Sequence, residues 1–343
     1  MSVPSSKKVG YVRLGNSGLK VSKIILGTMQ YGSAEWQPWT IGEEEAIKQI
    51  KAAYDVGIQT FDTADAYSNG LSEIILGKAI KQLELPRDEI VIMTKVFNIV
   101  APDYGLNLLK NKPAPDAPVY VNQRGLSRKH IFQAVKRSLE RLQLEYIDVL
   151  QCHRFDTQTP IEETMQALHD IVQAGHARYI GMSSCHAWQC YAINNKLTPF
   201  ILMQNHYNLI YREEEREMFP TLKHLGVGCI PWSPLAGGLL AKPLDQSSPR
   251  RDTYWIVNQY LSADGTAPII ARVEQVAKKL GISMGQVAMA WVLSKEGVIA
   301  PIVGTTSLEN LEELIAAVDV ASTSEEISYL EEPYKPQAII GHS

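Results

Sequence analysis

The segment FDTADAYSNGLSE, residues 61–73, sets two carboxylates, Asp62 and Asp65, and one phenol, Tyr67, within six residues of Phe61, where an apolar run stops. The run QTFDTA (59–64) reads as a short strand. LSEIILGKAIKQ (71–82) reads as the helix that follows it. Seven further runs have the same strand-like character: KIILGTM (23–29), EIVIMTKVF (89–97), YIDVLQCH (146–153), ARYIGMSS (177–184), FILMQNHY (200–207), VGCIPWS (227–233) and VIAPIVG (298–304). They are near-continuously apolar and lack clean alternation, as expected for strands covered on both faces.

Helical stretches separate them at 43–57, 71–82, 127–143, 161–175 and 212–226, with CHAWQCYAINNKL (185–197) a further candidate. Ser127 suits an N-cap, and Gly57, Gly175 and Gly226 suit helix stops. Eight strands alternating with helices predict parallel β/α units with right-handed crossovers. Eight is the number that closes a (β/α)8 barrel. An open doubly wound sheet is the alternative, but it announces itself by a Gly-rich fingerprint after the first strand. Here that turn is LGTMQYGSAEW (26–36), which does not match. The expected organisation is one barrel domain over residues 1–343.

Three features decorate the repeat. YVRLGNSGLKVSKI (11–24) carries a hairpin signal around Asn16-Ser17-Gly18 and could close one end of the barrel. Residues 98–126 and 236–266 read as long loops, a length that usually means function or disorder. Two helices, 268–281 and 283–297, lie between the seventh and eighth strands, where one would suffice.

The chain of 343 residues is 45% hydrophobic and 20% charged, a globular profile. Its net charge of -4 gives no basic footprint for nucleic acid. No apolar run is long enough to span a bilayer, and MSVPSSKKVG lacks a signal-peptide core. Cys152, Cys185, Cys190 and Cys229 are sparse and unpatterned, which reads as reduced thiols in a cytoplasmic protein.

A barrel of this kind carries its site at the C-terminal ends of the strands. The successive runs end in Asp62 with Tyr67 beyond, Lys95, His153, Ser183-Ser184, Gln204-Asn205 and Trp232-Ser233. A lysine inside an apolar strand is costly unless paired, and Asp62 on the neighbouring strand is the natural partner. Taken singly, each of these residues reads more readily as part of a structural ion pair or a satisfied core histidine than as a site residue. Four at one end of adjacent strands point to a site. No serine or cysteine sits in a nucleophile elbow. A phenol beside an ammonium is a better proton donor, because the positive charge favours phenolate. Such a group fits protonation of a carbonyl while hydride arrives from a cofactor. Trp232 offers a flat face for a nicotinamide ring. It reads equally as a rim aromatic. Tyr31, Trp36 and Trp39 on the first loop could wall an apolar substrate pocket, or be scattered loop aromatics.

With these residues in place the chain resembles the aldo-keto reductases over nearly its whole length. The likeness rests on GTMQYG (27–32), FDTADAYSNGLSE (61–73), TKV (94–96), YIDVLQCHRFD (146–156), YIGMSS (179–184), QNHYN (204–208), PWSPLAGGLL (231–240) and PIVGTTSLENLEEL (301–314). It is most similar to fungal members acting on aryl alcohols, aldehydes and polyketide-type carbonyls. The resemblance implies a (β/α)8 barrel using NADP(H) without a Rossmann fold. It implies a catalytic tetrad of Asp62, Tyr67, Lys95 and His153, with Tyr67 as general acid and Asp65 a turn residue. It implies Ser183 and Gln204 at the nicotinamide carboxamide, Trp232 against the ring, and Gly27, Thr28 and Met29 on the ribose side. Ser233, Leu235, Gly237 and Lys242 would follow the pyrophosphate. Gly304, Thr305, Thr306, Asn310 and Glu313 would surround the adenosine end.

The sequence departs from that pattern in three places. Ser184 stands where the family usually has Asn. Asn310 and Glu313-Leu314 replace a usual Gln and Glu-Asn. Thr305-Thr306-Ser307 replaces the basic residue often found at the 2'-phosphate. Arg250 or Arg251 could reach that phosphate from the 236–266 loop, and NAD(H) stays open as the cofactor. Two other readings compete. One is a nucleotide-sensing, non-catalytic subunit on the same barrel. The other is a metal-dependent hydrolase with Asp62, Asp65, His153, His186 and His206 as ligands, which no short ligand spacing supports.

Overall fold

The computed structural model describes residues 9–108, 110, 111, 113, 117–187, 189 and 197–342. Eight parallel strands form the sheet: β3 (Ile25–Gly27), β4 (Thr60–Asp62), β5 (Val91–Val96), β6 (Ile147–Cys152), β7 (Ala177–Ser183), β8 (Phe200–Gln204), β9 (Gly228–Cys229) and β10 (Ile302–Val303). Their order is β10-β3-β4-β5-β6-β7-β8-β9. The two ends meet. The Ile299 amide donates to Cys229 at 2.8 Å and the Ile302 amide to Pro231 at 2.9 Å. This is the predicted (β/α)8 barrel, one strand for each quoted run.

The hairpin is present as β1 (Tyr11–Arg13) against β2 (Lys20–Ser22), antiparallel. It brings Leu14 and Val21, both fully buried, into one cluster with Ile25, Met93, Val149, Leu202 and Ile302 from five barrel strands. The hairpin therefore plugs the barrel interior from the N-terminal side.

Side chains along a strand alternate faces, so inward positions recur every second residue. Two residues beyond the apolar Met93, Val149 and Leu202 stand Lys95, Gln151 and Gln204. Thr60 is followed in the same way by Asp62. The barrel thus carries an apolar layer, then a polar layer one step closer to its C-terminal mouth.

Most helices match their predicted spans: Glu43–Asp55, Leu71–Gln82, Arg128–Leu142, Ile161–Gln173, Thr266–Leu280 and Met284–Leu293. Ser127 caps the third by accepting the His130 amide at 3.3 Å. Gly57, Gly175 and Gly226 all adopt the left-handed conformation of helix stops. The stretch 212–226 is not one helix. It is a short turn, Glu213–Glu215, and then a helix, Met218–Leu225. Pro220 is tolerated only in a first turn, so the helix begins just before it. The segment 236–266 is also more ordered than its composition suggests. It holds helices Pro249–Thr253 and Ile256–Leu261, the first capped by Ser248 and opened by Pro249. Ser-Pro at a helix start was the missed signal. Helices Leu308–Ala316 and Ser324–Glu331 complete the chain order. Most of the candidate helix 185–197, with Cys190, lies outside the described residues, as does part of 98–126.

Candidate active site

The segment 61–73 is a strand end, a left-handed turn and a helix start in succession. Ser68, Asn69 and Gly70 have φ of 46°, 51° and 92°. Ser68 and Asn69 are strained there while Gly70 is not, and such strain persists where the surroundings over-determine it. Here they do. Asn69 donates to the Asp103 and Leu106 carbonyls at 2.7 and 2.8 Å and accepts from the Ala101 amide at 3.2 Å. Ser68 donates to the Tyr104 carbonyl at 2.9 Å. Glu73, fully buried, is clamped by Arg141 at 2.6 Å and Thr94 at 2.6 Å. The turn therefore aims Tyr67 and anchors the 98–126 loop with the same atoms.

Asp62, Lys95 and Tyr67 meet at the barrel mouth. Lys95 Nζ lies 2.5 Å from Asp62 Oδ2, 2.9 Å from the Thr63 carbonyl and 3.2 Å from the Tyr67 hydroxyl. All three ammonium hydrogens are thereby assigned. Burial opposes the charge on Lys95, but Asp62 and Tyr67 outweigh it and hold its pKa above the ordinary lysine value. Asp62 Oδ1 accepts from Gln151 Nε2 at 2.8 Å and Gln204 Nε2 at 2.9 Å. Tyr67 and His153 are partly exposed, while Asp62 and Lys95 are enclosed.

The His153 ring stands edge-on to Tyr67, centroids 5.8 Å apart. Burial, then Arg154 and Lys95, hold its pKa well below the ordinary histidine value, so the imidazole is neutral near pH 7. The Asn98 amide lies 3.3 Å from Nδ1. With that amide donating, the ring carries its proton on Nε2.

The residues expected at a cofactor line the rest of the rim. Gln204 spends both amide hydrogens inward, on Asp62 and on Gln151 Oε1 at 2.8 Å, which leaves its carbonyl oxygen as an acceptor. Ser183 donates to the backbone carbonyl of Gln204 at 3.0 Å, so the Gln204 side-chain oxygen stays open. The half-buried Trp232 donates Nε1 to Ser184 Oγ at 3.0 Å. One indole face is covered by His206, stacked at 4.1 Å, with Tyr211 at 4.1 Å on its far side. Ser184, Ser233 and Ala236 are left-handed non-glycine residues, as Ser68 and Asn69 are, so backbone strain gathers at this rim. Thr28 is tied to Ser72 at 2.7 Å, and Met29 packs with Tyr67 and Trp232 on one aromatic cluster.

Leu235 and Gly237 run beneath the 249–261 helices, where Tyr254 closes on Gly237, and Lys242 is exposed. Arg250 Nη1 reaches the Gly304 carbonyl at 3.5 Å and its guanidinium covers the Trp39 ring at 4.7 Å. Arg251 turns away, bonded to the Leu244 carbonyl at 2.6 Å and to the Gln246 carbonyl. Thr305 is buried. Thr306 and Asn310 are exposed at a helix start capped by Ser307, and Glu313 bonds Ser283.

Trp36, Trp39 and Tyr254 form an edge-to-face row at 6.3 and 6.0 Å, on the cluster that Tyr67 and Trp232 touch. Tyr31 does not join it. It is fully enclosed against the helices, its hydroxyl 3.1 Å from Gln49. The five candidate metal ligands do not converge either. Asp62 is committed to Lys95, and His206 is wedged between two rings. Among the described residues no three His, Cys, Asp or Glu side chains gather as a metal site.

The sequence model of the Aldo/keto reductase family matches residues 23–335. The chain belongs to the aldo/keto reductase family. It is 50% identical to versiconal hemiacetal acetate reductase of Aspergillus parasiticus, over 96% of this chain and 98% of that one. It is 46% identical to an aldo-keto reductase of Fusarium vanettenii, over 99% and 95%. It is 47% identical to a candidate aryl-alcohol dehydrogenase of Schizosaccharomyces pombe, over 96% and 97%. Family membership makes this an oxidoreductase barrel of the kind that generally uses a nicotinamide cofactor.

Three rim residues were not singled out from the sequence: Gln151, Arg154 and Tyr254. Gln151 had a signal, since a polar residue inside IDVLQCH lies two positions before His153 and faces the same way. Tyr254 had none.

Asp65 lies in a turn, as the resemblance implies, but it is not a solvated turn residue. It is fully buried, and neither carboxyl oxygen finds a hydrogen-bond partner among the described residues. Burial first, then Glu73, push its pKa well above the ordinary value of 3.8. In the unfolded chain it ionises at that ordinary value. The fold resists ionisation, so stability from this group is complete below about pH 3.8 and is lost as pH rises through the folded value. Asp65→Asn is therefore expected to match wild type in acid and to exceed it by about 1–3 kcal/mol near neutrality. Thermal melts from pH 4 upward check this. Parallel curves would mean that Asp65 ionises freely.

Proposed function

We propose that this chain reduces an aldehyde or ketone to the alcohol with NADP(H), and that Tyr67 is the proton donor. The observation that carries the reading is the enclosed Asp62–Lys95 pair, whose third ammonium hydrogen points at the Tyr67 hydroxyl. Asp62 keeps Lys95 charged and aimed. Lys95 favours negative charge on the phenol oxygen as its proton departs. The neutral His153, with its proton on Nε2, can donate a hydrogen bond to the carbonyl oxygen. The nicotinamide, when bound, supplies the hydride.

The residues present fit that cofactor. The Gln204 carbonyl oxygen and Ser183 suit the carboxamide, and the open face of Trp232 suits the ring. Arg250 Nε is buried with no partner among the described residues, a donor held ready for a phosphate. Thr306 and Asn310, beside the amides of a helix start, add to that end. We place the 2'-phosphate there, hence NADP(H) over NAD(H). The whole chain then acts as one barrel domain, with the 98–126 and 236–266 segments over the mouth.

The row Trp36–Trp39–Tyr254 suits a hydrophobic, aryl-type carbonyl, as the names of the relatives do. The buried thiols Cys152 and Cys229 fit a cytoplasmic setting. No described helix is long and apolar enough to cross a membrane.

The test is NADPH oxidation with para-nitrobenzaldehyde, repeated with NADH. Turnover is expected. Tight NADPH binding with no turnover on any aldehyde would replace this reading by a nucleotide-sensing one. Arg250→Gln should raise KM for NADPH about tenfold, the loss of one charged phosphate contact, and KM for NADH much less. Equal losses would move Arg250 to the pyrophosphate.

A further inference from the structure

We propose that Arg154 forms an anion-binding subsite in the carbonyl pocket, so that the preferred substrates are aldehydes or ketones bearing a carboxylate. This rests on the reductase reading above and names its substrate class. Arg154 follows His153 at the end of β6. Its Nη1 donates to the His153 carbonyl at 2.6 Å, which folds the side chain back over the mouth.

Its position follows from Gly341. A Cβ on that residue, whose φ is +87°, would lie 3.5 Å from Trp232 Cζ2, 3.9 Å from Arg154 Nη2 and 4.0 Å from Ser184 Oγ. The guanidinium, the Trp232 indole and the Ser184 hydroxyl therefore all flank Gly341. Among the described residues it has no carboxylate partner. Three other half-buried arginines have one: Arg87 with Asp148, Arg141 with Glu73, and Arg212 with Glu215 and Glu331. Burial depresses the Arg154 pKa, and only the Tyr67 and Tyr254 side chains act in the opposite direction.

A desolvated guanidinium without a counter-charge is costly. A carboxylate carried in by substrate would complete it, with the bidentate geometry that suits arginine. The carboxylate would then be held beside the proton donor, and the carbonyl placed by its distance from the acid.

The experiment compares para-carboxybenzaldehyde with its methyl ester, using NADPH, in wild type, Arg154→Met and Arg154→Lys. Wild type should prefer the acid in kcat/KM. Arg154→Met should lower the acid-to-ester ratio about 30-fold, as expected for one charge-assisted contact. The change should fall on KM for the acid. Arg154→Lys should keep part of the preference, and it serves alone if the methionine variant does not fold. Acid and ester falling together, or no preference for the acid in wild type, would overturn the subsite. An equal loss of NADPH affinity would place Arg154 at the cofactor's amide and also overturn it. If no aldehyde is turned over, the reductase reading fails by itself. Calorimetric titration with terephthalate then decides the subsite: binding weakened in Arg154→Met supports it, and unchanged or absent binding rejects it.

Discussion

Tyr67→Phe is expected to lower kcat for aldehyde reduction by about 10²–10⁴-fold while NADPH still binds, because it removes one hydroxyl and little else. That hydroxyl is 3.2 Å from Lys95 Nζ. The ring sits against an aromatic cluster that phenylalanine would still fill. The turn carrying it is held by Ser68, Asn69 and Glu73, none of which bonds the phenol. Folding and cofactor binding should therefore survive, and the loss should fall on the chemical step. Steady-state kinetics with a bulky aryl aldehyde and NADPH titration by tryptophan fluorescence check the two halves. Loss of binding in step with turnover would make Tyr67 a structural residue. Full activity in the variant would move the proton donor to His153.

Lys95→Met should cost both activity and stability. The ammonium is enclosed, and Asp62 would be left with Gln151 and Gln204 as its donors. Removing one partner of a buried pair typically costs ~3–5 kcal/mol, because the other charge stays behind. The Lys95 pKa is raised, so its contribution is present below the ordinary lysine value of 10.5 and is lost as pH rises past it. At neutral pH the full cost should appear as a lowered Tm. In kinetics the variant should resemble Tyr67→Phe, since the phenol loses the charge beside it. The double variant Asp62→Asn, Lys95→Met should recover part of the lost stability and none of the activity. A single variant as stable as wild type would show that the pair holds nothing in place. Unchanged kcat would separate Lys95 from the proton donor.

The sequence showed the barrel because its signal is repeated and local. Eight apolar runs alternate with helical stretches, and each run became a strand. Errors came where one residue changes a local rule: Pro220 splitting 212–226, and Ser248-Pro249 starting a helix inside an apparent loop. The meeting of Asp62, Lys95, Tyr67 and His153 was legible for a related reason. A polar residue at the end of an apolar run is visible without coordinates, and the barrel brings all strand ends to one rim.

What the sequence by itself determined, then, is which strands exist, their parallel order and which charged residues face the mouth. Those follow from period-two alternation and from the cost of burying an unpaired lysine. Tertiary structure alone decided three other matters. Asp65 lies two residues from Tyr67 and looks like any turn aspartate, yet the fold encloses it with no hydrogen-bond partner for its carboxyl oxygens among the described residues. Tyr31 and Trp36 share one loop, yet Tyr31 packs under helix 43–55 and Trp36 meets Trp39, which in turn meets Tyr254. Arg154 adjoins His153, yet only the fold brings it, with Trp232 and Ser184, around Gly341 and leaves it without a carboxylate partner among the described residues. Burial, partner choice and side-chain direction depend on segments up to hundreds of residues apart, and no local pattern in the chain encodes them.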